Sequence, residues 1–208
     1  MKRSSAKRNP AQKAVESFQT AAECIGPVEP GMALFAVTRG QFSMIDAIYH
    51  CLQQIGPAEV SLWTWTVATR HAEVMAGFLA YQTITRATIV CVQSLDQRNP
   101  KLVENWRQRF GDDTVKICKN HAKMCRVWNS KHRLLLRGSM NLNVNPRFEQ
   151  LDITEGGPDF DLVEQLEAEL PILPRKYSNH DTERASKVNR AFEYSQLRMF
   201  DTIKPWSQ

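Results

Sequence analysis

The sequence predicts an α/β fold in which helices cover both faces of one mixed sheet. Between residues 43 and 118, stretches with helical apolar spacing alternate with short runs rich in β-branched and aromatic residues. This order is typical of a sheet with helices packed on it. After residue 118, two strand-like runs follow each other across a short turn, which predicts antiparallel strands in the same sheet.

The first half of the chain supplies the alternating elements. Residues 1–30 are rich in Lys, Arg, Ser, Asn and Pro, which predicts a basic, partly disordered arm with a short helix over Gln12–Cys24. The elements predicted next, in order, are helix Ser43–Gln54, strand Glu59–Ala68, helix Arg70–Gln82, strand Ala87–Val92, helix Asn99–Phe110 and strand Thr114–Cys118.

The second half is predicted to add strands, one amphipathic helix and a tail. Its predicted elements are strands Ala122–Trp128, Arg133–Arg137 and Phe148–Thr154, then helices Phe160–Leu170 and Asp181–Phe200. Pro171 ends the first of these helices, and a polar stretch after Pro174 leads to the second. We therefore expect a domain over residues 31–175, followed by a helical tail over residues 176–208.

Composition excludes several classes of protein. The 208 residues are 42% hydrophobic and 24% charged, which is typical of a globular domain, and no apolar run is long enough to span a bilayer. The N-terminus lacks the apolar core of a signal peptide. The cysteine count is five, with no CxxC pair, so neither a disulfide framework nor a zinc cluster is implied. We expect a cytoplasmic protein that does not associate with membranes.

The net charge of +5 comes from the N-terminus. Five of the 27 basic residues precede Glu16, which is the first acid, so residues 14–208 hold 22 basic and 22 acidic side chains. Within them, Arg98–Arg137 contains eleven basic residues against three acids, whereas Glu149–Glu169 contains eight acids and no Lys or Arg. This polarity predicts one basic surface; the alternative is ordinary solvated faces on neighbouring elements.

Two short motifs carry the candidate chemistry. His121-Ala-Lys123 precedes a strand, and Gly138-Ser139-Met-Asn141 follows the strand that returns beside it. Alternation places His121 and Lys123 on one face, and the hairpin brings Ser139 and Asn141 next to them. An imidazole, an ammonium, a hydroxyl and a carboxamide in one small space suit a phosphodiester: a nucleophile, a cation and neutral donors for the phosphate oxygens.

At these residues the sequence resembles the phospholipase D superfamily, whose signature is HxKxxxxD followed by GSxN, and within it the small single-motif endonucleases. The resemblance extends over residues 41–173 and implies a phospholipase D-like α-β-α sandwich with one motif copy per chain. It implies His121 as nucleophile, Lys123 and Asn141 as holders of the phosphate oxygens, and Ser139 as their support. Glu149 is the best match for the carboxylate that orients the histidine, with Asp152 second.

The resemblance also implies the reaction and the partners. It implies a metal-independent phosphodiesterase without a cofactor, most simply a DNA endonuclease that forms a phosphohistidine. One motif per chain implies a homodimer, because the family chemistry uses two histidines. DNA would lie on the basic surface and on the arm Met1–Lys13. The residues expected to bind nucleic acid are Lys119, Arg126, Lys131, Arg133 and Arg137.

Trp128 stands where the motif has its aspartate. This departure favours the alternative of a catalytically degenerate DNA-binding or regulatory module that keeps the phosphate pocket. Phospholipid hydrolysis is disfavoured, since no amphipathic lipid-docking helix is evident. Trp63 and Trp65 could stack on nucleobases, although an alternating strand more often places one of them in the core.

Overall fold

Eight strands form one mixed sheet in the computed structural model, which describes residues 13–17, 20–143 and 146–187. The strands are β1 Lys13–Ser17, β2 Ala33–Thr38, β3 Ala58–Thr64, β4 Ile84–Val92, β5 Val115–Cys118, β6 Met124–Trp128, β7 Arg133–Gly138 and β8 Glu149–Glu155. Their order across the sheet is β1-β2-β8-β7-β6-β3-β4-β5.

The strand directions divide the sheet into three parts. β1 runs parallel to β2 at one edge, and β3, β4 and β5 are mutually parallel at the other. Between them, β8, β7 and β6 are antiparallel to their neighbours on both sides. The predicted mixed sheet is confirmed, with the parallel part formed where helices alternate with strands and the antiparallel part where strands follow directly.

Seven α-helices occur in the described residues: α1 Ala21–Ile25, α2 Met44–Ile55, α3 Thr69–Ala80, α4 Gln93–Arg98, α5 Pro100–Phe110, α6 Pro158–Glu169 and α7 Asn179–Ser186. Helix α2 shows why the local sequence folds this way. Ser43 and Asp46 form a capping box at its start. Gly56 ends it with a φ of 81°, a left-handed conformation that favours glycine.

One face of the sheet carries the main apolar core. Alternate residues such as Val60 and Leu62 of β3 point to this face and are 1% exposed. The buried residues of α2, α3 and α5 belong to the same cluster, among them Ile48, Met75 and Trp106. These helices therefore cover this face, and most of the apolar area removed from water lies between them and the sheet.

Helix α6 covers the opposite face. Its Phe160 and Val163 pack on Leu135 of β7 in a separate, smaller cluster, together with Trp63 and Trp128. Helices therefore lie on both faces, and the predicted α-β-α layering is confirmed. Among the described helices, none is both long enough and apolar enough to cross a bilayer.

The N-terminal prediction needs correction. A helix was expected over Gln12–Cys24, but Lys13–Ser17 is the edge strand β1 and the helix covers only Ala21–Ile25. The partner of β1 is strand β2, for which no strand was predicted, so a non-local pairing overrides the local helical tendency. The predicted tail helix Asp181–Phe200 is also corrected: α7 covers Asn179–Ser186 and ends at Lys187, whose φ of 49° is left-handed. Residues 188–208, like residues 1–12 of the predicted arm, lie outside the described residues.

Candidate functional site

The motif residues meet at one end of the sheet. β3 and β7 end there and β6 and β8 begin there, because Trp63 pairs with Met124, and Met124 pairs with Arg137. His121 and Lys123 lie in the link that enters β6, and Ser139 and Asn141 follow β7. The predicted convergence of the two motifs is therefore present in the fold.

His121 and Lys123 are in direct contact. Lys123 Nζ lies 3.3 Å from each of the two ring nitrogens of His121 and donates to the His121 carbonyl oxygen at 2.8 Å. His121 is exposed, and its ring lies 5.6 Å from that of Trp65, centroid to centroid. An accessible imidazole thus stands beside an ammonium, within reach of the same anionic group.

Gly138 allows the second motif to approach β8. A Cβ atom at this position would lie 2.1 Å from the carbonyl oxygen of Gln150, so no other residue fits without moving the backbone. The Gly138 amide donates to the Lys123 carbonyl oxygen at 3.0 Å, which ties the two motifs together. Glycine here is a steric requirement that brings Ser139 and Lys123 to the same place.

Ser139 and Glu149 form a hydrogen-bonded pair next to the motif residues. The Ser139 hydroxyl donates to the Glu149 carboxylate and accepts from the Gln150 amide at 3.0 Å. Glu149 is 8% exposed and begins β8. Asp152, the second candidate, lies three residues further along β8 and points to the other face of the sheet. Glu149 is thus the carboxylate at this site.

Asn141 is held by the chain that leaves β3. Its Oδ1 accepts from the Trp65 amide at 3.3 Å. Leu142, the next residue, is buried and pairs with Val67 as an isolated bridge. Asn141 is therefore placed next to Trp65, whose ring in turn contacts His121.

Asn120 positions the first motif, and sequence reasoning missed it. Its buried amide nitrogen donates to the carbonyl oxygens of Thr64, Val90 and Ala122, at 3.1 to 3.3 Å. Its Oδ1 accepts from the Ala122 amide at 2.9 Å. The residue between His121 and Lys123 is thereby fixed to the ends of β3 and β4. An Asn directly before HxK was the only signal in the sequence, and it gives no indication of these partners.

Trp128 lies at the far end of β6. It lies five positions after Lys123, about 16 Å along an extended chain. Its ring packs edge-on to Phe160 at 6.3 Å, beneath α6. The position that carries aspartate in the family motif therefore serves core packing in this chain.

Three of the predicted nucleic-acid ligands are paired with α6. Arg126 is the clearest correction: its side chain is 5% exposed and pairs with Glu164 at 2.9 Å and with Glu167 at 3.3 Å. Arg133 pairs with Asp161, and Arg137 with Asp159. These three arginines are therefore paired with acids of α6 across the interface between the sheet and that helix, and they do not form an open basic surface.

The two predicted lysines lie at opposite ends of the sheet. Lys131 is exposed in the β6–β7 hairpin, at the end away from His121. Lys119 follows β5 at the same end as the motifs, where its Nζ lies 3.9 Å from Glu183. The five basic residues thus do not surround His121, because their spacing along two antiparallel strands spreads them over the length of the sheet.

The tryptophans and cysteines near the motifs have separate roles. Trp63 is partly buried and donates to Glu167 at 3.1 Å, whereas Trp65 is 38% exposed beside His121. Burial raises the pKa of the Cys118 thiol to about 11 and places that of Cys125 well above its ordinary value. Both cysteines therefore remain protonated and apolar. In the described part of the chain, no three His, Cys, Asp or Glu side chains gather as metal ligands.

Comparison with known proteins gives likeness to solved structures but no match by sequence. No protein-family model matches the chain, and no curated protein matches its sequence. Among solved structures, it is similar to a phosphatidylserine synthase from Haemophilus influenzae Rd KW20, with a TM-score of 0.46 and 13% identity. The alignment covers 82% of this chain and 46% of the synthase, so this chain spans about half the length of that protein. A similarity at this level assigns neither a family nor an activity to this chain.

Proposed function

We propose that this chain is a phosphodiesterase of the phospholipase D type that acts on DNA without a metal ion or cofactor. The observation that carries the proposal is the contact between His121 and Lys123 at the sheet end where Ser139 and Asn141 also lie. Such a group supplies a nucleophile and the donors that an anionic phosphorane needs. The separate motifs are common by chance; their convergence in space is not.

The reaction proceeds in two displacements. One ring nitrogen of His121 attacks phosphorus, so that an N–P bond forms while the P–O bond to the leaving strand breaks and its electron pair stays on oxygen. Lys123 and Asn141 hold the non-bridging oxygens as negative charge builds up on them. Water then attacks phosphorus and passes a proton to the imidazole that protonated the leaving oxygen, the N–P bond breaks with its electron pair returning to nitrogen, and His121 is regenerated together with a terminal phosphate.

The leaving oxygen needs a proton, and a second imidazole is its natural donor. Because the chain carries one HxK motif, we assign this role to His121 of a second copy across a two-fold axis. The active form is then a homodimer. Sedimentation that shows a monomer at micromolar concentration would contradict both the dimer and the two-histidine reaction.

The test is plasmid nicking in the presence of EDTA. Wild type is expected to convert supercoiled DNA to the open circle, whereas His121→Ala is expected to be inactive. His180→Ala is the matched control, because His180 is an exposed imidazole on α7 outside the motifs. Mass spectrometry of wild type mixed with a small diester should show acid-labile phosphate on His121. Equal nicking by wild type and His121→Ala would remove His121 from the mechanism.

A second candidate is a DNA-binding module that keeps the pocket as an anion site. The observation that favours it is Trp128, which packs against Phe160 where the motif has its aspartate. This candidate predicts salt-dependent DNA binding that His121→Ala leaves nearly intact, with no nicked product after long incubation. The same nicking experiment therefore separates the two candidates.

A further inference from the structure

Two exposed aromatic rings border the candidate site. Trp65 follows β3 and is 38% exposed; Phe148 precedes β8 and is 66% exposed. Both lie at the end of the sheet that carries the motifs, and β6 and β7 run between them. Three strand spacings separate β3 from β8, so the two positions lie about 14 Å apart on either side of the motif residues.

Each ring is linked to the motif residues, Trp65 by contact and Phe148 through its neighbour in the chain. The Trp65 ring lies 5.6 Å from that of His121, and the Trp65 amide donates to Asn141. Phe148 is bonded to Glu149, which accepts the Ser139 hydroxyl. Neither ring is needed to fill the core, since both keep a large part of their surface in water.

Each ring also has an arginine over it. The Arg98 guanidinium carbon lies 5.5 Å from the Trp65 ring centroid, and that of Arg39 lies 4.9 Å from the Phe148 ring centroid. Both arginines are exposed. A planar base that stacks on either ring thus finds a cation beside it for its own phosphate. Alternating aromatic and cationic groups along a groove are typical of proteins that bind single strands.

We propose that Trp65 and Phe148 are base-stacking positions, and that this site binds single-stranded DNA in preference to duplex DNA. This inference rests on the proposed function. The faces of bases inside a duplex are already stacked on their neighbours, so only unpaired nucleotides can offer a face to each of two rings on opposite sides of a phosphate pocket. The scissile phosphate would lie at His121, with one unpaired base on either side.

The experiment compares one labelled oligodeoxynucleotide with its annealed duplex, by fluorescence anisotropy. The protein and each variant below carry His121→Ala in addition, because the active protein would cut the strand even in EDTA. Electrostatic attraction alone favours the duplex, because its charge density is higher. Stacking on the two rings predicts instead that the single strand binds more tightly. Equal or tighter binding of the duplex, or no binding of either, would overturn the stacking proposal.

Variants then assign the preference to the two rings. Trp65→Leu and Phe148→Leu are each expected to weaken single-strand binding about tenfold, and Trp65→Phe is expected to restore most of the loss. Tyr81→Leu is the matched control: Tyr81 is 86% exposed, but it precedes β4 at the opposite end of the sheet. Losses for the ring variants no larger than that of Tyr81→Leu would contradict the assignment.

The salt dependence separates stacking from charge. The loss in Phe148→Leu should be the same at low and high salt, because stacking releases no counterions. Replacing the arginine over the other ring, Arg98→Gln, should instead lower the salt slope by about 0.7 for one lost phosphate contact on a single strand. A salt slope that falls in Phe148→Leu as it does in Arg98→Gln would count against stacking.

A separate measurement keeps the two proposals distinguishable. Hydrolysis of a small diester by wild type, compared with His121→Ala, reports on the phosphodiesterase alone. Hydrolysis without a single-strand preference would contradict the stacking proposal and support the phosphodiesterase activity. A single-strand preference without hydrolysis would support stacking and contradict the phosphodiesterase activity.

Discussion

Replacing Asn120 by aspartate tests whether this buried side chain holds the first motif in place. The substitution preserves shape and the acceptor for the Ala122 amide, but it removes both amide hydrogens. Those hydrogens serve carbonyl oxygens of Thr64, Val90 and Ala122, at 3.1 to 3.3 Å. In the variant, a carboxylate oxygen would face these carbonyl oxygens with nothing between them.

The expected cost is about 3 kcal/mol in the free energy of unfolding. Two lost hydrogen bonds account for about 2 kcal/mol, and the carbonyl oxygens left without a donor account for the rest. With a urea m value of about 2 kcal/mol/M, the midpoint of unfolding should fall by about 1.5 M. Asn105→Asp is the matched control, because Asn105 is exposed on α5 and should change stability by less than about 0.5 kcal/mol.

The pH dependence of the free energy of unfolding is a second test of the role of Asn120. Burial raises the pKa of a carboxyl group, so the new aspartate is destabilising wherever the unfolded chain would ionise it, above about pH 4. The stability gap to wild type should therefore narrow as pH falls toward that value, since a protonated carboxyl can donate one hydrogen bond. A midpoint shift no larger than that of Asn105→Asp, or a gap that is constant with pH, would refute the role of Asn120.

Three further predictions follow from the packing of the sheet. Arg126→Ala should cost about 3 kcal/mol in chemical unfolding, because it removes the guanidinium from the buried carboxylate of Glu167, whereas Arg133→Ala, at a side chain 42% exposed, should cost less than about 1 kcal/mol; equal costs would contradict the difference in burial. Gly138→Ala should lower the melting temperature by several degrees, since its Cβ would lie 2.1 Å from the Gln150 carbonyl oxygen, and an unchanged melting temperature would show that the strand moves freely. Burial raises the pKa of Asp159, but hydrogen bonds from neighbouring side chains outweigh it and leave that pKa below its ordinary value; Asp159→Asn should therefore reduce stability at neutral pH and lose its effect as pH falls through the folded pKa, and a deficit that does not shrink as pH falls below about 4 would contradict this linkage.

The helices and most strands were readable from the sequence because their signals are local. The capping box at Ser43 and the stop at Gly56 lie within the segment they define, and so does the apolar spacing of α2. The exceptions have non-local causes. β1 is a strand because β2 lies beside it, and no pattern within Lys13–Ser17 reveals that neighbour.

The candidate site was predictable to the same extent. His121, Lys123, Ser139 and Asn141 could be grouped because one hairpin joins their two segments, and the register of β6 and β7 follows from that connection. Asn120 could not be found, because its partners Thr64 and Val90 lie 56 and 30 residues away along the chain. Their positions depend on the order of strands across the whole sheet.

The sequence by itself determined the layered α/β architecture, the meeting of the two motifs and the glycine that their approach requires. Only the tertiary structure decided which partners the charged side chains have and which aromatic rings are buried. Arg126 lies in a basic stretch that predicted a DNA-binding surface. The placement of α6 over β6 and β7 instead pairs it with Glu164 and Glu167, about 40 residues later in the chain. Trp63 and Trp65 are the same residue type and are two positions apart, so alternation predicts the same face for both. Trp63 nevertheless packs under α6, whereas Trp65 is exposed beside His121. The physical reason is that periodicity records which side of an element a residue occupies, whereas its partner depends on which other element is packed there.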